Sequence, residues 1–153
     1  MDKVLVINGP NLNLLGSRNP AVYGQQSLHD LERFLTDKAK LLGIMVDCRQ
    51  TNHEGKIIDW LQEANRDGFI GVILNAGAYT HYSYAIRDCI EAIGIPVIEV
   101  HISNIYSREE FRHRSVIAPV ASGHISGLGF YGYRLALEAI LHLKGREENG
   151  KNQ

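Results

Sequence analysis

The chain has 153 residues, of which 16 are basic, 17 are acidic and 44% are hydrophobic. This length suits one domain whose core needs no disulfide bonds. The balanced charge argues against nucleic-acid and membrane partners, so we expect a small-molecule substrate. Cys48 and Cys89 are isolated, and neither a signal-peptide pattern nor a membrane-spanning apolar run is present. We therefore predict a cytoplasmic protein.

Strand and helix patterns alternate along the chain. Short β-branched runs predict strands at 3–8, 44–50, 69–75, 96–101 and, more weakly, within 116–126, and helical periodicity predicts helices at 27–43, 54–68, 79–94 and 132–145. The alternation predicts a flavodoxin-like three-layer αβα sandwich with a five-stranded parallel sheet in the order 2-1-3-4-5. We assign residues 1–145 to a single catalytic domain and residues 146–153 to a polar disordered tail.

Polar side chains mark the carboxyl ends of three predicted strands. Asn11 follows the first strand, Asn75 ends the third, and the fourth carries Glu99 and His101, with Ser103 just beyond. In open parallel sheets, ligands bind outside the carboxyl ends of the strands. We therefore expect these side chains to line one site.

The richest chemistry lies in residues 96–115. Residues two apart on a strand share a face, so Glu99 can accept a hydrogen bond from His101 and fix its tautomer for proton transfer. A short helical stretch follows, with Arg108 and Arg112 on one face, where they would hold an anionic group. The segment predicts acid–base chemistry on a small anion.

The loop after the first strand, residues 9–24, has no helical periodicity, and we predict that it forms a lid that can move about Gly16 and Gly24. It carries Arg18 and Tyr23. Tyr23 could act as a base only if cations lowered its pKa from about 10, and Arg18, Arg108 and Arg112 are the candidates. An ordinary surface loop, with a packed tyrosine and a solvated arginine, is the alternative interpretation.

Residues 75–88, NAGAYTHYSYAIRD, form a second candidate segment. Gly77 lies where the backbone must approach closely, and His81 lies in the first turn of a predicted helix. Asp88 falls seven residues later, on the same predicted helix face. His81 could instead be a polar helix start and Asp88 a solvated charge.

Other functional classes fit less well. GLGFYG at 127–132 matches a dinucleotide motif but precedes the last helix, where close helix packing explains it better. Seven histidines are present without HExxH or a closely spaced ligand set, so we expect no metal site. The first loop lacks a phosphate-loop ending. A flavin- or nucleotide-binding module and a receiver-like domain with an acidic pocket are the competing classes.

The lid, NAGAYTH, EVHISNIYSREEFR, QTNHEG at 50–55 and GYRLAL at 132–137 together resemble the type II 3-dehydroquinate dehydratase family over roughly residues 3–143. The resemblance implies a cofactor-free lyase that converts 3-dehydroquinate to 3-dehydroshikimate by anti elimination through an enolate, in the shikimate pathway or in quinate breakdown. It also implies a trimeric unit, commonly assembled into a homododecamer.

The resemblance further implies a role for each site residue. Tyr23 would abstract the proton, His101 would protonate the leaving hydroxyl, and Glu99 would orient His101. Arg18 and Arg108 would keep Tyr23 ionised, and Asn11 would hold a water at the enolate oxygen. The substrate-binding set would be Asn75, Gly77, Ile102 and Ser103 near the carboxylate, with His81, Arg112 and a neighbouring subunit's Asp88 at the ring hydroxyls. Asn19 and His124 depart from the usual family residues, Glu and an apolar side chain.

Overall fold

Five parallel strands form the centre of the fold in a computed structural model that describes residues 1–17, 21 and 25–151. The strands are β1 (Lys3–Asn8), β2 (Met45–Gln50), β3 (Gly71–Asn75), β4 (Val97–His101) and β5 (Gly123–Ser126). They lie in the order β2-β1-β3-β4-β5, and every neighbouring pair is parallel. The predicted sheet order is confirmed.

Four α-helices with described bounds cover both faces of the sheet; the first three connect successive strands and the fourth follows β5. They are α1 (Leu28–Leu41), α2 (Glu54–Arg66), α3 (Tyr84–Ala92) and α4 (Phe130–Lys151). Helix α1 begins at a capping box, in which the Ser27 hydroxyl accepts from the Asp30 amide and the Asp30 carboxylate accepts from the Ser27 amide. Gly43 follows α1 with a φ of 73°, a left-handed conformation that glycine adopts without steric cost.

Alternate strand residues enter two separate cores. Val4 and Val6 face the side packed by α1 and α4, whereas Leu5 and Ile7 face the side packed by α2 and α3. All four side chains are completely buried. A sheet covered on both faces makes three layers, as the continuous apolar strands predict. Within the described residues, no helix is long and apolar enough to cross a lipid bilayer.

The predicted helix over 79–94 is wrong at its start. Residues Gly77–His81 form a 3₁₀ turn, Ser83 is extended, and α3 begins only at Tyr84. The Ser83 hydroxyl accepts from the Ile86 amide and so caps a new helix at that point. His81 and Asp88 therefore do not share a helix face.

Two further boundaries differ from the prediction. The stretch with Arg108 and Arg112 is not one helix but two 3₁₀ turns, Ile105–Ser107 and Glu110–Arg112, with an extended Arg108 between them. The last helix passes through Gly145 and continues to Lys151, so the tail predicted from residue 146 is helical as far as it is described. Helix-forming side chains and the Lys144–Glu148 ion pair, 3.5 Å long and four residues apart, support this extension.

A buried tyrosine ties the last helix to two strand ends. The Tyr133 hydroxyl donates to Asn8 Oδ1 at 2.6 Å and accepts from Asn75 Nδ2 at 2.9 Å. Burial raises the pKa of Tyr133, so this side chain remains a neutral hydrogen-bonding group. The bonds fix Asn8 and Asn75, which pair across β1 and β3 at the carboxyl edge of the sheet.

We predict that Tyr133→Phe lowers stability by about 1–3 kcal/mol, because Asn8 and Asn75 each lose a buried hydrogen-bond partner. Thermal unfolding at a fixed protein concentration measures the change. Tyr79→Phe is the matched control, since its hydroxyl donates to the Asn52 carbonyl at an exposed position, and we expect a change below about 0.5 kcal/mol. Equal effects of the two substitutions would contradict the proposed anchoring by Tyr133.

Candidate active site

A polar cleft of about 190 Å³ lies at the carboxyl edge of the sheet. Its described walls come from the loop after β1, the turn after β3, the end of β4 and the two 3₁₀ turns that follow. The lining residues are Pro10, Asn11, Leu12, Asn75, Gly77, Ala78, His81, His101, Ile102, Ser103, Ile105, Arg108 and Arg112. No aspartate or glutamate belongs to this described lining, and two arginines do, so the cleft suits an anionic ligand.

A histidine and a glutamate form the base of the cleft. His101 Nε2 lies 2.5 Å from Glu99 Oε2, and Glu99 is completely buried. An ionised carboxylate can only accept, so Nε2 carries a proton and Nδ1 is left as the ring atom for a ligand. The pairing predicted from the two-residue spacing is confirmed.

The Glu99 carboxylate is held by elements on several sides. The Ser115 hydroxyl donates to both oxygens, at 2.8 and 2.9 Å, and the Thr80 hydroxyl lies 3.3 Å from Oε2. Burial raises the pKa of Glu99, but contacts with His101, His124 and Ser115 outweigh it and bring the pKa to about 2. The carboxylate is therefore ionised near neutral pH and accepts the hydrogen bond from His101 Nε2.

The position of His124 follows from strand register. Glu99 on β4 pairs with His124 on β5, so the two side chains stand on the same face of the sheet. His124 Nε2 lies 3.4 Å from Glu99 Oε2, and the His101 and His124 rings are 5.6 Å apart. The sequence showed no closely spaced metal-ligand set, yet the fold brings one atom each of Glu99, His101 and His124 within 4.8 Å of one another.

The loop after β1 is anchored at its base. Gly9 packs against Ala76 so closely that a Cβ there would lie 2.7 Å from the Ala76 carbonyl. Asn11 has a φ of 69°, the only positive value for a non-glycine residue in the described chain. Its amide donates to Asn52 Oδ1, and Gln50 donates to the Gly9 carbonyl. This support holds Asn11 in a conformation that asparagine tolerates better than most residues.

The turn after β3 supplies a neutral histidine. Asn75 Oδ1 accepts from the Gly77 amide, which lies beside the Pro10 backbone with a φ of 59°. His81 Nδ1 lies 2.8 Å from the Arg114 carbonyl, so Nδ1 carries the proton and Nε2 is an acceptor. Burial lowers the pKa of His81 more than the Arg114 carbonyl raises it, which favours the neutral ring.

The two cleft arginines differ in their surroundings. Arg112 donates from Nε to Glu109 at 2.8 Å, which fixes its guanidinium in the cleft wall. The carbonyl of Arg108 accepts from His113 Nε2 at 2.9 Å and fixes the backbone of the second arginine. Both side chains are largely buried. Their charges therefore act in a partly desolvated cleft, where attraction to an anion is stronger than in water.

The structure brings together nine of the thirteen predicted site residues as lining and places Glu99 directly behind His101. The nine are Asn11, Asn75, Gly77, His81, His101, Ile102, Ser103, Arg108 and Arg112. Asp88 is exposed on α3 and does not line this cleft. Arg18 and Tyr23, like Asn19, lie outside the described residues.

Three residues that contact Glu99 were not among the predicted site residues. Thr80 and Ser115 come from segments distant in sequence, and no local pattern marks them as partners of Glu99. His124 could have been identified by aligning the last two strands, because its partner in register is Glu99. A larger cavity of about 690 Å³ opens near Pro96 and Val120, beyond the amino end of β4, away from this acid–base group.

We predict that Ser115→Ala lowers the thermal midpoint at pH 7, because the ionised Glu99 loses a donor and the Ile117 and Ala118 amides lose an acceptor. The folded pKa of Glu99, about 2, lies below the ordinary 4.5, so ionisation stabilises the fold above pH 4.5 and this contribution is lost as pH falls toward 2. Ser115→Ala raises that folded pKa.

The difference between wild type and Ser115→Ala should therefore be smaller at about pH 2.5 than at pH 7. The exposed Ser107→Ala, which removes a hydroxyl that donates to the Asn104 carbonyl, should have little effect at either pH. A Ser115→Ala difference that does not change with pH would mean that Ser115 acts only through the backbone.

Known proteins match the chain over nearly its full length. A family model described as dehydroquinase class II matches residues 2–141. The 3-dehydroquinate dehydratase of Halalkalibacterium halodurans is 58% identical over 141 residues, 92% of this chain and 97% of that protein. The corresponding protein of Deinococcus radiodurans is 57% identical over 137 residues, 90% of this chain and 96% of that one.

Solved structures agree with the sequence matches. The crystal structure of a type II dehydroquinase from Butyrivibrio crossotus superposes with a TM-score of 0.89 at 51% identity, covering 91% of this chain and 97% of the other. One from Propionibacterium acnes gives 0.88 at 44% identity, covering 92% and 96%. The chain belongs to the class II dehydroquinase family.

Proposed function

We propose that this protein removes water from 3-dehydroquinate to give 3-dehydroshikimate, as a step of the shikimate pathway in the cytoplasm. The observation that carries the proposal is the His101–Glu99 pair, which lies at the base of a cleft with two arginines and no described carboxylate lining, in a chain of the dehydroquinase family. We further propose that residues 1–145 act as one catalytic domain.

The direct test uses purified protein and 3-dehydroquinate without added metal or cofactor. Formation of the conjugated enone of the product is followed by ultraviolet absorbance, and the product is identified by mass spectrometry. We expect turnover in the presence of a chelator. A protein that is folded and oligomeric but does not consume 3-dehydroquinate would refute the assignment.

In the proposed mechanism, a base takes the proton next to the ketone, and an acid protonates the hydroxyl that leaves. His101 suits the acid: Glu99 binds its Nε2 and stabilises the imidazolium, so Nδ1 can donate. Tyr23 is the proposed base, from the lid, with Arg18 and Arg108 favouring its ionised form. Proton transfer between the two groups then restores the starting state.

The enolate and the carboxylate of the substrate also need partners. Asn11 lies in the cleft wall and would bind a water that stabilises the enolate oxygen. The amides of Ile102 and Ser103, near Asn75 and Gly77, would hold the carboxylate. His81 would accept from one ring hydroxyl through Nε2, and Arg112 would donate to another.

The first kinetic prediction is that His101→Gln lowers kcat by at least about 100-fold while KM changes little, because the acid is lost and the hydrogen-bonding shape is partly kept. His142→Gln on α4 is the control and should keep normal rates. Circular dichroism and thermal unfolding establish that each variant is folded. A folded His101→Gln protein within a few-fold of the normal kcat would refute the acid role.

We predict a similar loss for Tyr23→Phe, which removes the proposed base but keeps the ring. We expect kcat to fall by at least about 100-fold with substrate affinity, measured by calorimetry, nearly unchanged. Tyr131→Phe is a matched control, since Tyr131 is 51% exposed at the start of α4. Normal turnover by Tyr23→Phe would assign the base to another group.

The last kinetic prediction concerns assembly. We propose that the working unit is a trimer, built into a dodecamer, in which Asp88 reaches a neighbouring subunit's cleft. Asp88 is exposed on α3 outside its own cleft, and exposed aromatic side chains of Tyr82, Tyr84 and Phe111 are available for contact with another subunit.

If so, two inactive variants, Asp88→Asn and Tyr23→Phe, should regain part of the activity when they are dissociated and reassembled together. Mixed oligomers contain some interfaces that join an intact Tyr23 to an intact Asp88. Each variant reassembled alone is the control and should remain inactive. Verified mixed oligomers without recovered activity would contradict a shared site.

A further inference from the structure

The Glu99 oxygen that binds His101 also faces a second histidine, His124, which the proposed reaction does not use. His124 Nε2 is buried and has no hydrogen-bond partner in the described structure. It lies 3.4 Å from Glu99 Oε2, a contact that helps to lower the pKa of Glu99 but is not aligned as a hydrogen bond. A buried polar atom without a partner is uncommon and indicates an unfilled interaction.

The three side chains form a convergent ligand set. Both His101 Nε2 and His124 Nε2 approach the same Glu99 oxygen, at 2.5 and 3.4 Å, and all three atoms lie within 4.8 Å of one another. For these separations, a point equidistant from the three atoms lies about 2.5 Å or less from each. Zinc binds histidine nitrogen and carboxylate oxygen at about 2.0–2.2 Å, which sets tetrahedral ligand atoms about 3.3 Å apart. His101 Nε2 and Glu99 Oε2, now 2.5 Å apart, would therefore separate by about 0.8 Å when the ion replaces their hydrogen bond.

We propose that Glu99, His101 and His124 bind a divalent transition-metal ion, with zinc the best match, and that the bound ion inhibits the enzyme. Two histidines and one carboxylate are a ligand set that zinc uses with a fourth position left open. The set lacks the many oxygen ligands that magnesium and calcium prefer, so these ions should not compete.

The surroundings favour such a site. The Ser115 hydroxyl holds both Glu99 oxygens and would keep the carboxylate oriented when one oxygen turns to a metal. His101 lines the cleft and the His124 side chain is 22% exposed, so the buried ligand atoms lie just beneath surfaces that an ion can reach. The strand register fixes the spacing of Glu99 and His124 before any ion arrives.

The inhibitory part of the proposal rests on the proposed role of His101. In the neutral ring, the single proton would move from Nε2 to Nδ1, and the Nε2 lone pair would bind the metal in place of the hydrogen bond to Glu99. No proton is created or lost in this exchange. A ring held in this way cannot become the imidazolium that protonates a leaving hydroxyl, so bound zinc stops turnover.

The test uses untagged, metal-free, full-length protein titrated with zinc chloride by calorimetry. We expect one zinc per subunit, and we expect His124→Val and His124→Gln each to weaken binding by at least about 100-fold, since losing an outer-shell partner alone costs 10–100-fold. Matched His29→Gln removes an exposed histidine on α1 and should bind zinc normally. Magnesium chloride should give no binding at the same concentration.

Two further readouts separate the parts of the proposal. Co²⁺ should give the visible absorption of a low-coordinate nitrogen–oxygen site in wild type and lose it in both His124 variants. Each protein's rate with zinc is compared with its own rate under a chelator, and zinc should inhibit wild type at much lower concentrations than either variant. Circular dichroism establishes that the variants are folded.

Absence of stoichiometric zinc binding by wild type, or equal affinity in both folded His124 variants, would overturn the site. Binding that needs His124 but leaves the rate unchanged would support the site and overturn the inhibition, along with the acid role of His101. Absence of dehydratase activity under the chelator would refute the proposed function, while the calorimetric and cobalt results would still decide the metal site.

Discussion

The buried, ionised carboxylate of Glu99 is the constraint around which this site is organised. A charge with no exposed surface persists only if surrounding donors replace the water it has lost. Here the donors come from β4, from the turn before α3 and from the segment that precedes the last 3₁₀ turn. The carboxylate therefore holds three parts of the chain in one arrangement, and its hydrogen bond to Nε2 fixes the orientation of the His101 ring.

The same constraint explains how the proposed acid chemistry and anion binding can coexist. Arg108 and Arg112 make the described lining of the cleft positive, which favours an anionic ligand. Glu99 contacts His101 from behind the ring, at a distance of 2.5 Å, while remaining outside the lining that a ligand meets. The front of the cleft can thus be positive for the substrate while His101 still has a negative partner.

Much of the fold could be predicted from the sequence because its signals are local. The apolar β-branched runs predicted the first four strands to within about two residues and the fifth only as part of a longer stretch, and their alternation with helices led to the correct sheet order. The pairing of Glu99 with His101 followed from the two-residue period of a strand. These features depend on neighbours in the chain, which a sequence displays directly.

The errors arose where distant contacts or capping decide the structure. The Ser83 hydroxyl accepts from the Ile86 amide and starts a new helix there, so the predicted helix over 79–94 is divided and His81 lies outside the helix that carries Asp88. Thr80, Ser115 and His124 reach Glu99 from other elements, so their contacts depend on tertiary packing and register. The helix beyond Gly145 gains from an ion pair at its end, which a composition-based prediction of disorder did not weigh.

The hydrogen bonds of Tyr133 have a consequence for how the protein folds during its synthesis on the ribosome. Its hydroxyl binds Asn8 at the end of β1 and Asn75 at the end of β3, which precede Tyr133 by 125 and 58 residues. Until α4 leaves the exit tunnel, Asn8 and Asn75 lack this buried partner, although every strand has already been synthesised. The cleft should therefore become ordered only once α4 can pack on the sheet, so a nascent chain stalled before Tyr133 would carry most of the cleft-lining residues without holding them in place.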